Sequence, residues 1–290
     1  MTLIVAGATG YGVWPDDTLG GLRRCLDAPV DGVEIDVQFT ADGHVVAHHD
    51  YRLSRRQTRL DGQWLTGSGP VIKDTPLAEL ARYDIGATRP DRADDPEHPH
   101  RQHWDNEPIP TLDALFEVLK AAPGPRRLFY IEIKTDPTDP ELAPPPEPFT
   151  DAVVAAIEAH DYVQHAKIIA FDWQVLRRTA ARNPAIATAH LTIPSRLAGG
   201  AMGGEGTPSP WFDGFDAYRH GGSDLAAIKA HGGMEWSPYH TDVTPERVAE
   251  AARLGLKVGP WGLNHAPDIA HMQALNVWSA TVAGPAWGRE

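Results

Sequence analysis

The sequence predicts an α/β fold: a (β/α)8 TIM barrel with a β-hairpin extension after its second strand and a long insertion. Three observations predict it. Short apolar runs recur with helical patterns between them, which is how successive parallel strands are joined. Eight such runs can be counted, the strand number of a closed α/β barrel. The side chains that carry chemistry collect toward the C-terminal ends of those runs, where such barrels place their working face.

Leu3 to Ala8 reads as the first strand and Thr18 to Asp27 as the first helix. Gly32 to Phe39 is the second strand. The turn Thr40-Ala41-Asp42-Gly43 is too short for a parallel crossover, so His44 to Asp50 is expected to return antiparallel as an extra strand. Leu53 to Pro110 then interrupts the pattern with a long irregular stretch, the length of a lid or binding insertion. Thr111 to Ala121 reads as a helix. Leu128 to Lys134 is a compact apolar run ended by Thr135-Asp136-Pro137, the pattern of a strand buried on both faces.

Helices are expected over Pro148 to His160 and Trp173 to Arg182, with strands over Lys167 to Phe171 and Ile186 to Thr192. A Gly-rich loop at about 196–223 follows and carries Trp211, Phe212 and Phe215. The last strands are Met234 to Tyr239, Lys257 to Trp261 and Val277 to Val282, separated by helices over Thr244 to Leu254 and Ala266 to Leu275. Thr244-Pro245-Glu246 has the chemistry of a helix start, and Gly255 that of a stop. No linker divides the 290 residues, so one domain, 1–290, is expected.

Bulk properties narrow the function. Hydrophobic residues make up 42% and include nine Trp, ample for a core, and 22% charged residues do not suggest disorder. A net charge of -13 with no basic block argues against nucleic acid as a partner. The N-terminal letters show neither a signal peptide nor a membrane span. Cytoplasmic placement without integral membrane association is therefore the expectation, and a mature secreted form stays open. The single Cys25 lies in a helical segment, where a core thiol is expected rather than a nucleophile.

Within the second strand, alternation turns Glu34 and Asp36 to one side and Val33, Ile35 and Val37 to the other. Two co-facing buried acids repel unless a cation lies between them. The hairpin returns His49 to their level as a candidate acid or base, while His48 should point away and be structural. On the Leu128 to Lys134 strand, Glu132 and Lys134 share a face. A buried pair of this kind adds little net stability, so its presence leans toward function. Three carboxylates without a His or Cys partner select a hard cation, Mg²⁺ or Ca²⁺ with Mn²⁺ as a third choice, over Zn²⁺.

Trp261 falls at the same strand-end face. Trp211 and Phe212 are candidate contacts to an apolar part of a substrate, with packing of the loop onto the barrel as the alternative. His98, His100 and His103 sit in a Pro-rich stretch and read as solvated surface rather than metal ligands.

These residues resemble the glycerophosphodiester phosphodiesterase family of phospholipase-C-like barrel phosphodiesterases. The resemblance is carried by G-V-E-I-D-V-Q-F-T-A-D-G-H-V-V-A-H-H-D from Gly32, I-P-T-L from Ile109, I-E-I-K from Ile131 and P-W-G-L-N from Pro260. It implies that Glu34, Asp36 and Glu132 hold a divalent cation, that His49 is one of two catalytic histidines, and that Lys134 binds substrate phosphate. It also implies a small phosphodiester or lysophospholipid as the substrate. The chain departs from the family at Gly7-Ala8-Thr9, where His-Arg-Gly is usual, and at Pro15-Asp16-Asp17-Thr18, where Pro-Glu-Asn-Thr is usual. A further departure is Ala280-Thr281-Val282-Ala283-Gly284-Pro285, in place of an Ile-Thr-Asp-x-Pro-like strand end.

Three readings follow. The first is a metal-dependent phosphodiesterase or phospholipase-D-like enzyme acting on glycerophosphodiesters or lysophospholipids. The second is a metal-dependent lyase or isomerase with a changed substrate, and the third a non-catalytic binding relative. Retention of Glu34, Asp36, Glu132, Lys134 and His49 ranks the first ahead. With Gly7 and Ala8 in place of two large side chains, the pocket is expected to be enlarged beside the first strand.

Overall fold

The computed structural model describes residues 1–88, 101–194, 197 and 206–284. In chain order the elements are β1 (Leu3–Ala6), α1 (Leu19–Asp27), β2 (Gly32–Phe39), β3 (Val45–Ala47), β4 (Arg59–Leu60), β5 (Gln63–Trp64), α2 (Leu77–Leu80), β6 (Tyr83–Asp84), α3 (Leu112–Ala121) and β7 (Leu128–Ile133). There follow α4 (Pro146–Ala159), β8 (Ala166–Ala170), α5 (Trp173–Arg182), β9 (Ala187–Thr192), α6 (Asp224–Ala230), β10 (Glu235–Pro238), α7 (Pro245–Leu254), β11 (Lys257–Val258), α8 (Ala266–Ala274) and β12 (Ser279–Val282).

Parallel pairing runs β11-β10-β9-β8-β7-β2-β1-β12, and β3 adds antiparallel to β2 with Val37 opposite Ala47. Backbone bonds from Trp278 N–H to the Val258 carbonyl (2.8 Å) and from Thr281 N–H to the Pro260 carbonyl (2.9 Å) join the two ends of that order. The result is the nearly closed parallel barrel with surrounding helices that the alternating pattern predicts. Val33, Ile35 and Val37 face outward into the large cluster shared with the helices, which leaves Glu34 and Asp36 pointing inward. Val5, Tyr130, Ile169, Ala189 and Leu191 form a separate cluster inside the barrel.

Helix starts follow local chemistry. The side chains of Thr18, Thr111 and Thr244 accept the N–H of Gly21, Ala114 and Arg247, and Gly255 closes α7 at φ 69°. The first strand is shorter than its apolar run suggests. Ala8 and Thr9 take φ of 40° and 57°, so the chain turns away after Ala6 instead of extending to Ala8.

The 53–110 insertion is more ordered than its composition implies. It carries the small sheet β5-β4-β6, helix α2 and its own cluster of Leu53, Ile72, Leu80, Tyr83, Ile85 and Ile109, closed by Val46 from β3. Two-residue strands are too short to show a period, and their apolar residues make sense only once packed together. His98 and His100 lie outside the described residues, as does most of the stretch from 195 to 205. His103 is exposed, and its ring accepts the Thr88 N–H at 3.0 Å. Helix α6, absent from the sequence reading, starts on a Ser223 cap. No helix among the described residues is long and apolar enough to cross a membrane.

Candidate active site

The register of the barrel creates the site. Asp36 of β2 and Glu132 of β7 are direct Cα partners, and Glu34 lies two residues back on the same inward face. Each of the three is less than a tenth exposed, at 7%, 4% and 8% for Glu34, Asp36 and Glu132. One oxygen from each lies within 4.8 Å of the others. Lys134, one residue past β7, reaches back over the cluster, with Nζ 3.0 Å from Asp36 Oδ1 and 2.7 Å from Glu132 Oε1. The Ala8 N–H donates to Glu34 Oε2 at 2.8 Å.

This crowding splits the acids. Burial and the neighbouring Asp36 and Glu132 push Glu34 well above the usual carboxylate range. Burial also raises Glu132, to about 6, against the opposing pull of Lys134. Asp36 feels the same burial, but the Lys134 ammonium and the His49 imidazole overcome it and hold the group low. Three buried carboxylates with one ammonium form an acidic cradle short of positive charge. Oxygen ligands of this kind fit a hard divalent cation.

His49 is where the hairpin was expected to bring it, at the mouth beside this cluster. It lines the same cavity as the three acids. Its side chain is 60% exposed, and Nδ1 lies 2.7 Å from Asp50 Oδ1. Lys134 opposes its protonation, but Asp36 and the hydrogen bond to Asp50 prevail and raise its pKa. His48 lines neither of the cavities that share the acids; it is buried, and burial lowers its pKa. Its backbone N–H donates to the Asp36 carbonyl at 3.0 Å.

The cavity over the cluster measures about 350 Å³ and is walled on its apolar side by Ile169, Phe171, Leu191, Tyr239 and Trp261. Trp261 therefore lines the site, in edge-on contact with both Phe171 (5.7 Å) and Tyr239 (5.0 Å). A second cavity of about 900 Å³ adjoins it through His49, Glu132, Lys134 and Phe171, and Trp211 lines that one. Trp211 is only 8% exposed, so it is a wall and not a projecting ring.

Phe212 goes elsewhere. It packs on Trp173 at 5.1 Å and lines a third cavity, touching neither of the two that share the acids. Its short 3-10 turn, Pro210–Phe212, sends successive side chains in different directions, which spacing alone did not reveal.

The space beside Gly7 is also different from expectation. A Cβ built there would lie 3.1 Å from Thr281 Cγ2 and 3.3 Å from Tyr11 Cε1. The first-strand side is thus filled by Tyr11 and Thr281, not enlarged. Tyr11 lines the 350 Å³ cavity, and its hydroxyl donates to Asn264 Oδ1 at 2.6 Å. Sequence reasoning missed Tyr11 because it lies in a turn without periodicity.

Two more acids escaped notice. Asp16 lines the cavity and is held by Gln57 (3.2 Å) and Arg101. Asp17 is fully buried behind Asp36, accepting its N–H at 3.2 Å, and burial and Asp36 raise its pKa. The Pro15-Asp16-Asp17-Thr18 turn was the available signal for both.

A (β/α)8 barrel whose mouth gathers three carboxylates, a lysine and a histidine has residues that could hold a cation and groups able to carry a proton, at the face where such barrels place their active sites. The model of the glycerophosphoryl diester phosphodiesterase family matches residues 7–282. A glycerophosphodiester phosphodiesterase of Caldanaerobacter subterraneus subsp. tengcongensis is 26% identical over 93% of this chain and 89% of its own length.

The crystal structure of a Silicibacter pomeroyi protein assigned to the glycerophosphoryl diester phosphodiesterases superposes with a TM-score of 0.87 at 26% identity, covering 100% of this chain and 92% of that one. An Oleispira antarctica phosphodiesterase, solved in complex with the product sn-glycerol-3-phosphate, shares the fold, with a TM-score of 0.70 at 21% identity over 98% and 94% of the two chains. The chain belongs to the glycerophosphoryl diester phosphodiesterase family.

Proposed function

We propose that this chain cleaves glycerophosphodiesters with the help of a divalent cation, Mg²⁺ or Ca²⁺, held by Glu34, Asp36 and Glu132. The observation that carries the reading is the cluster itself: three buried acids with one oxygen of each within 4.8 Å of the others, Asp36 and Glu132 being ion-paired to Lys134. When bound, the cation supplies positive charge to a phosphoryl oxygen. Lys134 binds the phosphate and offsets the charge that grows on it. His49, at the junction of the two cavities, accepts the proton of the attacking hydroxyl.

The retained glycerol side of the substrate lies toward the 900 Å³ cavity and the departing alcohol in the 350 Å³ one. Leu53, Leu142, Ile193, Phe171 and Trp211 give the larger cavity an apolar wall. That wall favours a second reading, in which the retained side carries an acyl chain and lysophospholipids are substrates.

The test is a panel of glycerophosphocholine, glycerophosphoethanolamine and lysophosphatidylcholine, assayed with Mg²⁺, with Ca²⁺ and with EDTA. Cleavage of at least one diester, lost in EDTA and restored by the ion, is expected. Full activity in EDTA would remove the cation from the scheme, and no cleavage of any member would end the diesterase reading.

A further inference from the structure

Cleaving an alkyl phosphodiester needs a proton for the departing oxygen as well as a group to receive one from the nucleophile. The described residues offer His49 on the β7 flank of the acid cluster. The opposite flank, beside β1 and β12, holds Tyr11. The virtual Cβ of Gly7 lies 3.3 Å from the Tyr11 ring and 3.6 Å from Glu34 Oε2, so the ring and that carboxylate flank the same residue, and both line the 350 Å³ cavity. In the resting structure the Tyr11 O–H donates to Asn264 Oδ1 at 2.6 Å, which fixes where the phenol oxygen lies and leaves the hydrogen to be turned about the C–O bond.

Of the other hydroxyl residues lining this cavity, Ser237 donates to the Gly259 carbonyl at 2.7 Å, Tyr239 packs on Trp261 at the β10 side, and Thr281 turns its methyl group toward Gly7. Tyr11 lines the smaller cavity only, whereas His49 lines both.

We propose that Tyr11, oriented by Asn264, is the general acid for the departing alcohol, an assignment that rests on the phosphodiester reading above. In the step, the attacking hydroxyl gives its proton to His49 as its oxygen bonds to phosphorus. The bond from phosphorus to the departing oxygen breaks with its electron pair on that oxygen. The proton of the Tyr11 hydroxyl turns from Asn264 Oδ1 to that oxygen and passes to it, and the phenolate regains a proton from water once the alcohol has left. A neutral phenol suits this role better than that of base, since phenols are much stronger acids than the alcohols they would protonate.

The test varies the leaving group while keeping the retained side constant. Tyr11→Phe keeps the ring that packs over Gly7 and removes only the hydroxyl. Glycerophosphocholine requires protonation of its leaving oxygen, and the 4-nitrophenyl ester of glycerol 3-phosphate does not. The expected result is a fall of about 10²- to 10⁴-fold in kcat on glycerophosphocholine and less than about 10-fold on the aryl ester. Asn264→Ala, which leaves the phenol in place without its anchor, should show the same asymmetry to a smaller degree and serves if the Phe variant folds poorly.

Equal losses on both esters, or none on either, would overturn the role of Tyr11 while leaving the diesterase reading intact. A parent protein that cleaves neither ester would overturn both.

Discussion

The acid cluster makes stability depend on pH in a direction that a cation should reverse. Glu132 titrates at about 6 in the folded chain against an ordinary 4.5, chiefly because it is buried. A carboxyl raised in this way favours the folded state while protonated, and that advantage is lost as pH climbs from 4.5 through 6. The loss from Glu132 is about 2 kcal/mol at about 1.4 kcal/mol per pH unit of displacement. Glu34 is displaced in the same direction and adds to it, while Asp36, held low, acts only in more acidic solution.

For a chain of this size, about 2–3 °C of Tm accompanies each kcal/mol, so Tm in EDTA should fall by roughly 4–6 °C or more from pH 4.5 to 7.5. A divalent cation binds the deprotonated acids and should do little at pH 4.5. At pH 7.5, present at about 100 times its Kd, it should restore about 2.7 kcal/mol. Differential scanning fluorimetry of the parent and Glu132→Gln, with and without Mg²⁺ or Ca²⁺, measures all of this. The reasoning fails if the EDTA curve is flat for the parent, if Glu132→Gln leaves the slope unchanged, or if the ion raises Tm equally at both pH values.

Other outcomes follow from single contacts. His49→Ala should lower turnover by about 10²- to 10⁴-fold and move Tm by no more than about 2 °C, because its side chain is 60% exposed; an unchanged rate would shift proton transfer elsewhere. Gly7→His should cost about 1–3 kcal/mol by overpacking against Thr281 and Tyr11 without raising diester cleavage; a stable, faster variant would contradict the crowding seen there. Cys25 is buried in α1 and burial pushes its thiol upward, so a thiol reagent should label it only after denaturation, and rapid labelling of the native chain would show that α1 opens.

Much of the site is written in the period of single strands. Alternation is a local property, so the inward turn of Glu34 and Asp36 and the shared face of Glu132 and Lys134 follow from their spacing on β2 and at the end of β7. The short Thr40-Ala41-Asp42-Gly43 turn likewise obliged the chain to reverse into β3. Helix starts at Thr18, Thr111 and Thr244 depend on hydrogen bonds that span three residues, and these too are readable in advance.

Register between distant strands is not local. Only the pairing of β2 with β7 sets Asp36 beside Glu132, and only the closure of β12 on β1 and β11 brings Thr281 near Gly7 and Asn264 to Tyr11. The insertion acquired a core through contacts among residues whose strands are too short to show a period, and the turn at Pro210–Phe212 aimed Phe212 at Trp173 rather than at the acids. Backbone periodicity determined which side chains can share a face. The tertiary structure decided which faces meet, because that depends on packing and closure between segments far apart in the chain.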